Sequence, residues 1–141
     1  MPSIEEKVEE QYKALLDSLG VRHYGKTEKI NDSIYDALNN ANSKSGNVGK
    51  NFPDIQLLLE NQHARRIPVM VEAKGLKSKL EKLNKDGSIT GITYYDKDRF
   101  NKDGKLIHAK GEANHSAVTG YAVNGAVHYG NAILDGGDYE E

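Results

Sequence analysis

The chain has 141 residues, enough for one domain with a single core of moderate size, so no second domain is expected. It contains no cysteine, which removes disulfides and thiolate chemistry and fits a cytosolic protein, and no stretch resembles a signal peptide or a membrane span. A formal net charge of −2 and a pI of 6.2 argue against tight non-specific binding of nucleic acid by the whole surface. Positive charge is nevertheless concentrated at Lys74, Lys77, Lys79, Lys82 and Lys85, ordinarily a solvated face, while acidic residues gather at 5–10 and 135–141.

Ser3 followed by Glu6 forms a capping box that opens a first helix, along which Ile4, Val8, Tyr12, Leu15 and Leu19 make an apolar stripe; Gly20 ends it. Asn31-Asp32-Ser33 caps a second helix that turns Ile34, Tyr35 and Leu38 toward the core. Residues 39–51, with Gly46 and Gly49, read as a loop whose Lys44 and Lys50 face solvent by default. The stretch has no G-x-x-x-x-G-K-[ST] spacing, so nucleotide hydrolysis has no support.

Asp54-Ile55-Gln56-Leu57-Leu58-Leu59 reads as a strand, residues 60–66 as a turn, and Ile67, Val69, Val71 and Ala73 alternate with Pro68, Met70, Glu72 and Lys74 as a second strand. Glu72 and Lys74 therefore share a side, and antiparallel pairing brings Asp54 opposite Glu72. Facing carboxylates are unfavourable unless a cation lies between them, and Mg²⁺ is a hard cation that one or two carboxylates hold. Lys74 is then placed to hold or polarise an attacking water. Each piece alone has a plain structural reading, since Pro-Asp commonly starts a strand and an exposed E-x-K pair is an ordinary solvated edge. Their convergence carries the chemical one.

After Gly75, residues 76–83 make one or two helical turns, and 86–110 form a polar insertion of short strands and tight turns around Asp86-Gly87 and Asp103-Gly104. Tyr94 and Tyr95 pack this insertion in preference to stacking on bases, and His108 and His115 are weak zinc candidates. Residues 113–134 form a long helix whose stripe of Ala117, Val118, Tyr121, Ala122, Gly125, Ala126, Tyr129, Ala132 and Ile133 permits close approach to a sheet.

Pro53-Asp54 with Glu72-Ala73-Lys74 resembles the PD-(D/E)xK nuclease superfamily. The resemblance implies an α/β (α+β) restriction-endonuclease-like domain over 1–141, with a central mixed sheet flanked by helices. It implies Mg²⁺, with Mn²⁺ able to substitute, held by Asp54, Glu72 and the carbonyl of Ala73, and Lys74 as general base or water-orienting group. A glutamate of the first helix, from among Glu5, Glu6, Glu9 and Glu10, would complete the site, with Glu28 a further candidate. An assisting Q-x-x-x-Y is missing from the last helix, which offers only Asn114-His115, within reach of phosphate, and then Tyr121. The chain is also similar to the N-terminal nuclease-like domains of type I and combined type II restriction-modification proteins. That likeness implies a sheet truncated on its C-terminal side and a longer parent protein with methyltransferase and target-recognition domains or subunits. Its partner would be double-stranded DNA, hydrolysed by in-line water attack, with dimerisation on DNA and no membrane. A non-catalytic DNA-binding or assembly module and an RNA-processing nuclease stay open as alternatives.

Overall fold

The capping box closes as expected. In the computed structural model, Ser3 Oγ accepts from the Glu6 amide at 3.1 Å and Glu6 Oε2 accepts the Ser3 amide at 2.7 Å, opening α1 (Ile4–Ser18). The structure describes residues 2–44, 46, 51–89 and 92–139. Lys50 and Gly49 of the expected loop, and Glu140-Glu141 at the acidic end, lie outside the described residues.

The buried face of α1 is not the apolar stripe. Ile4, Leu15 and Leu19 are 63%, 52% and 66% exposed, whereas Glu9 and Leu16, seven positions apart on one face, are buried. The helix is thus rotated by roughly one residue, or about 100°, from the face that hydrophobic periodicity favours. Leu16 docks on Ile55 and Leu57, and Glu9 is compensated by ionic partners described below.

Strands β1 (Ile55–Glu60) and β2 (Arg66–Val71) pair antiparallel, with Ile55 opposite Val71 and Glu60 opposite Arg66, which is the register the sequence predicts. Asn61 Oδ1 closes the connection by accepting the His63 and Arg65 amides. The hairpin is buried on both sides: Ile55, Leu57, Val69 and Val71 pack with Leu16 and Val21, while Leu58 and Met70 meet Ile34 and Leu38 of α2 (Asp32–Asn40) and a cluster of Tyr129, Ala132 and Ile133. Asn31 Oδ1 caps α2 through the Ile34 amide at 2.9 Å, as its sequence indicates.

The expected single central mixed sheet takes a coarser form. Among the described residues the molecule is a mixed α+β domain with two separate two-stranded antiparallel sheets and four helices. Among the described residues, six-residue strands occur only in the β1–β2 hairpin, and the insertion supplies β3 (Arg99–Phe100) and β4 (Leu106–His108), too short to extend it. One further segment docks on the hairpin edge, where Tyr24 and Gln56 exchange backbone hydrogen bonds of 2.8 Å. Residues 76–83 contribute only a 3-10 turn, Lys77–Lys79.

The expected long helix over 113–134 is two helices, α3 (His115–Gly120) and α4 (Ala122–Gly136). Tyr121 is extended at φ −127° and ψ 139°, directly after Gly120, a weak helix former. The break is compensated because the Val123 amide, left without an intrahelical acceptor in the first turn of α4, donates to the Leu80 carbonyl at 3.0 Å. No helix among the described residues is long and apolar enough to cross a membrane.

Candidate metal centre

Asp54 ends the run into β1 and is buried with its carboxylate divided between two tasks. Oδ2 accepts the Ala73 amide at 2.7 Å, tying the start of one strand to the end of the other, and Oδ1 meets Lys26 Nζ at 3.2 Å. Lys26 Nζ also lies 3.2 Å from Glu9 Oε1. Glu5, one turn before Glu9, completes a group in which oxygens of Glu5, Glu9 and Asp54 all lie within 4.8 Å of one another. Of the other candidates, Glu6 of the first helix is occupied by the cap, Glu10 is exposed, and Glu28, beyond that helix, accepts the Gly25 amide at 2.9 Å.

Glu72 forms a second, adjoining cluster. Its side chain is 4% exposed; Oε1 accepts from Lys44 Nζ at 2.8 Å and lies 3.8 Å from Lys74 Nζ, which also donates to the Thr119 carbonyl at 3.3 Å. Oε2 is buried with no hydrogen-bond partner among the described residues. Asp54 and Glu72 are thus brought to one end of the hairpin as the register demands, and Glu72 and Lys74 fall on one side, but each carboxylate has its own lysine.

Two glycines allow this crowding. A Cβ at Gly75 would lie 3.1 Å from the Glu5 backbone nitrogen, so the bare backbone after E-x-K lets α1 approach. A Cβ at Gly125 of α4 would lie 3.2 Å from the Val118 carbonyl oxygen and 3.4 Å from Glu72 Cγ.

Lys26, Lys44 and Tyr129 carry parts of the centre that the motif does not signal. Gln56, buried on β1, positions the Lys26 segment by donating through Nε2 to the Gly25 and Glu28 carbonyls at 3.0 and 3.2 Å. The segment ahead of Lys44 is held by Asn51, whose Nδ2 donates to the Leu38 carbonyl at 2.8 Å, and by a 2.8 Å bond between His128 Nε2 and the Asn42 carbonyl. Tyr129 is 2% exposed, donates to the Phe52 carbonyl at 3.2 Å, and has Lys44 Nζ 5.3 Å from its ring centre. Burial, then the charges of Glu72 and Asp54, push its phenol far above the ordinary value, so it stays a donor.

The tyrosine near the carboxylates is therefore Tyr129; Tyr121 instead lies beneath Lys79 Nζ, 5.4 Å from its ring centre. Asn114 uses its side chain to cap α3 through the Ala117 amide at 3.1 Å. Tyr95 stacks on His108 with centroids 4.4 Å apart, while Tyr94 is exposed, and neither His108 nor His115 joins a metal-ligating group among the described residues.

A cleft of about 570 Å³ opens beside the centre, lined by Glu5, Glu9, Lys26, Lys74, Gly75 and Lys79. A second, of about 390 Å³, lies on the other side of Lys26, between Tyr35 and Phe52.

Burial raises the pKa of Glu72, opposed in part by Lys44; burial and then the Asp54 charge raise that of Glu9, opposed in part by Lys26. Burial pulls Lys26 down, but its bonds to Asp54 and Glu9 outweigh this and the net shift is upward. For the two glutamates the folded chain binds protons more readily than the unfolded one. Their contribution to stability is fully present below the ordinary value of 4.5 and is lost as pH rises through the raised folded values. Urea denaturation of Glu72→Gln should accordingly show a flatter pH dependence from just below 4.5 upward than the parent chain shows; identical slopes would refute the shift.

The oxygen-only donor set fits a hard divalent cation. Oxygens no more than 4.8 Å apart can share one ion at ligand distances of about 2.4 Å. The group Glu5, Glu9 and Asp54 can in principle chelate such an ion. No family model matches the chain, and neither a curated protein nor a solved structure does.

Proposed function

We propose that this domain is a Mg²⁺-dependent endonuclease that hydrolyses DNA phosphodiester bonds. The observation that carries the proposal is the convergence on one hairpin end of Asp54, Glu72 and Lys74 with Glu9, which arrives from a helix 45 positions away from Asp54 in sequence. Asp54, Glu9 and Glu5 would hold the ion, with Oε2 of Glu72, unpartnered among the described residues, and the carbonyl of Ala73 as further oxygen ligands on the β2 side. When bound, a divalent ion supplies charge neutralisation at phosphate and acidifies a water. The ammonium of Lys74, anchored on Thr119 and Glu72, orients the attacking water or takes part in moving its proton at Nζ. Lys79, across the cleft, receives the phosphate backbone.

On this reading the hairpin and its helices are a restriction-endonuclease-like core. The domain serves as the DNA-cleavage part of a cytosolic restriction-modification enzyme, beside methyltransferase and target-recognition domains or subunits, and double-strand cutting requires two copies on DNA. A non-catalytic DNA-binding or assembly module is the second reading, favoured by one fact: Lys26 and Lys44 already neutralise the carboxylates. Nicking of supercoiled plasmid in Mg²⁺ or Mn²⁺ separates the two, with an RNA substrate alongside. Cutting should vanish in EDTA and fall about 10²–10⁴-fold in Lys74→Ala. Equal cutting by Lys74→Ala, or none by the parent chain, would refute the enzyme.

A further inference from the structure

The carboxylate centre already holds a cation of its own. Lys26 Nζ sits 3.2 Å from both Glu9 Oε1 and Asp54 Oδ1, and these two carboxylates supply two of the three oxygens of the cluster that fits a divalent ion. An ammonium group and a hard metal ion draw on the same carboxylate lone pairs, and both cannot use them together at full strength. Resting on the metal-centre reading above, we propose that Lys26 is the resident cation of this centre: it holds the place of the divalent ion, must leave for the ion to enter, and so sets the divalent affinity.

Lys26 and Lys44 differ in a way that supports an exchangeable role for the first. The Lys44 side chain is 23% exposed and sits over the Tyr129 ring, on a segment pinned by Asn51 and His128. Lys26 is 46% exposed, while the carboxylates it bridges are 10% and 6% exposed. Lys26 lines both clefts, so open space adjoins it into which the ammonium can swing. Its backbone stays in place during that motion, because the Tyr24–Gln56 pair and the Gln56 side chain hold the segment independently of Nζ. The arrangement keeps the buried carboxylates compensated when no ion is bound.

Calorimetric titration with Mn²⁺ alone, on the full chain without nucleic acid, tests this. Lys26→Met keeps the apolar stem and removes the charge, and it should bind Mn²⁺ about fivefold tighter or more, given two ion pairs no longer competing. Lys26→Arg should bind like the parent, and Lys26→Met/Asp54→Asn should lose the gain. Competitive acetylation read by mass spectrometry gives a second readout on the unmodified sequence: Mg²⁺ should raise the labelling rate of Lys26 several-fold. Parent binding with an equal or weaker Lys26→Met, or with Lys26 labelling unchanged by Mg²⁺, would overturn the role of Lys26 and leave the metal centre standing. Absence of binding in every variant would overturn both.

Discussion

Asp54→Asn should reduce metal-dependent plasmid nicking on the order of 10³-fold or more while leaving the fold intact. Loss of metal-assisted charge stabilisation is worth several kcal/mol, and each 1.4 kcal/mol or so is tenfold in rate. The substitution is informative because the two halves of the Asp54 carboxylate do different work. Oδ2 accepts the Ala73 amide at 2.7 Å, and an asparagine carbonyl can keep that bond and with it the junction of the strands. Oδ1 faces Lys26, and the carboxylate belongs to the group with Glu9 and Glu5, where an uncharged amide can neither bind a hard cation well nor pair with the ammonium. Plasmid nicking and Mn²⁺ titration are the readouts, with far-ultraviolet circular dichroism as the folding control. Retention of full activity by a folded Asp54→Asn chain would remove Asp54 from the reaction.

Tyr129→Ala should be the most destabilising single change around the centre, costing about 3–5 kcal/mol, comparable to the whole stability of a marginal domain. Tyr129 is fully buried where α4 meets α2 and the hairpin, in one cluster with Ile34, Leu38, Ala132 and Ile133, so truncation leaves a cavity inside that cluster. Tyr129→Phe separates packing from polarity. It keeps the ring and loses the bond to the Phe52 carbonyl, at a cost of about 1 kcal/mol. Urea denaturation of both variants checks the order; a Tyr129→Phe loss as large as that of Tyr129→Ala would mean that the hydroxyl, not the ring, is what holds α4 in place.

The local elements were legible wherever their causes are local. The Ser3–Glu6 capping box, the Asn31 cap and the β1–β2 register each depend on residues within a few positions or on a two-residue alternation, and all three form as read. The failures are tertiary in origin. The apolar stripe of α1 is left outward because Leu16 and Glu9 find better partners, Ile55 and Leu57 for one and Lys26 for the other. The helix over 113–134 breaks at Tyr121 because Leu80 can satisfy the amide that the break exposes.

The candidate centre divides along the same line. Asp54, Glu72 and Lys74 were visible in the sequence because hairpin geometry ties their positions together: opposite places in the register and alternate places on one strand bring them to one end. Glu5 and Glu9 could be named only among four helix glutamates, since the dipole favours all of them in the first turns and only the rotation of α1 selects these two. Tyr129 was legible only as part of a core-facing stripe and Lys44 only as a loop lysine facing solvent, and Lys26 was not marked. Their roles depend on a side-chain bond from Gln56, on a loop held by His128, and on the approach of α4 permitted by Gly125. The sequence by itself thus determined the hairpin, the helix caps and the arrival of Asp54, Glu72 and Lys74 at one hairpin end. Which charges face the carboxylates was decided only by the tertiary structure, because burying the side chains of Glu9, Asp54 and Glu72 close together is favourable only where distant segments deliver lysines to the same place.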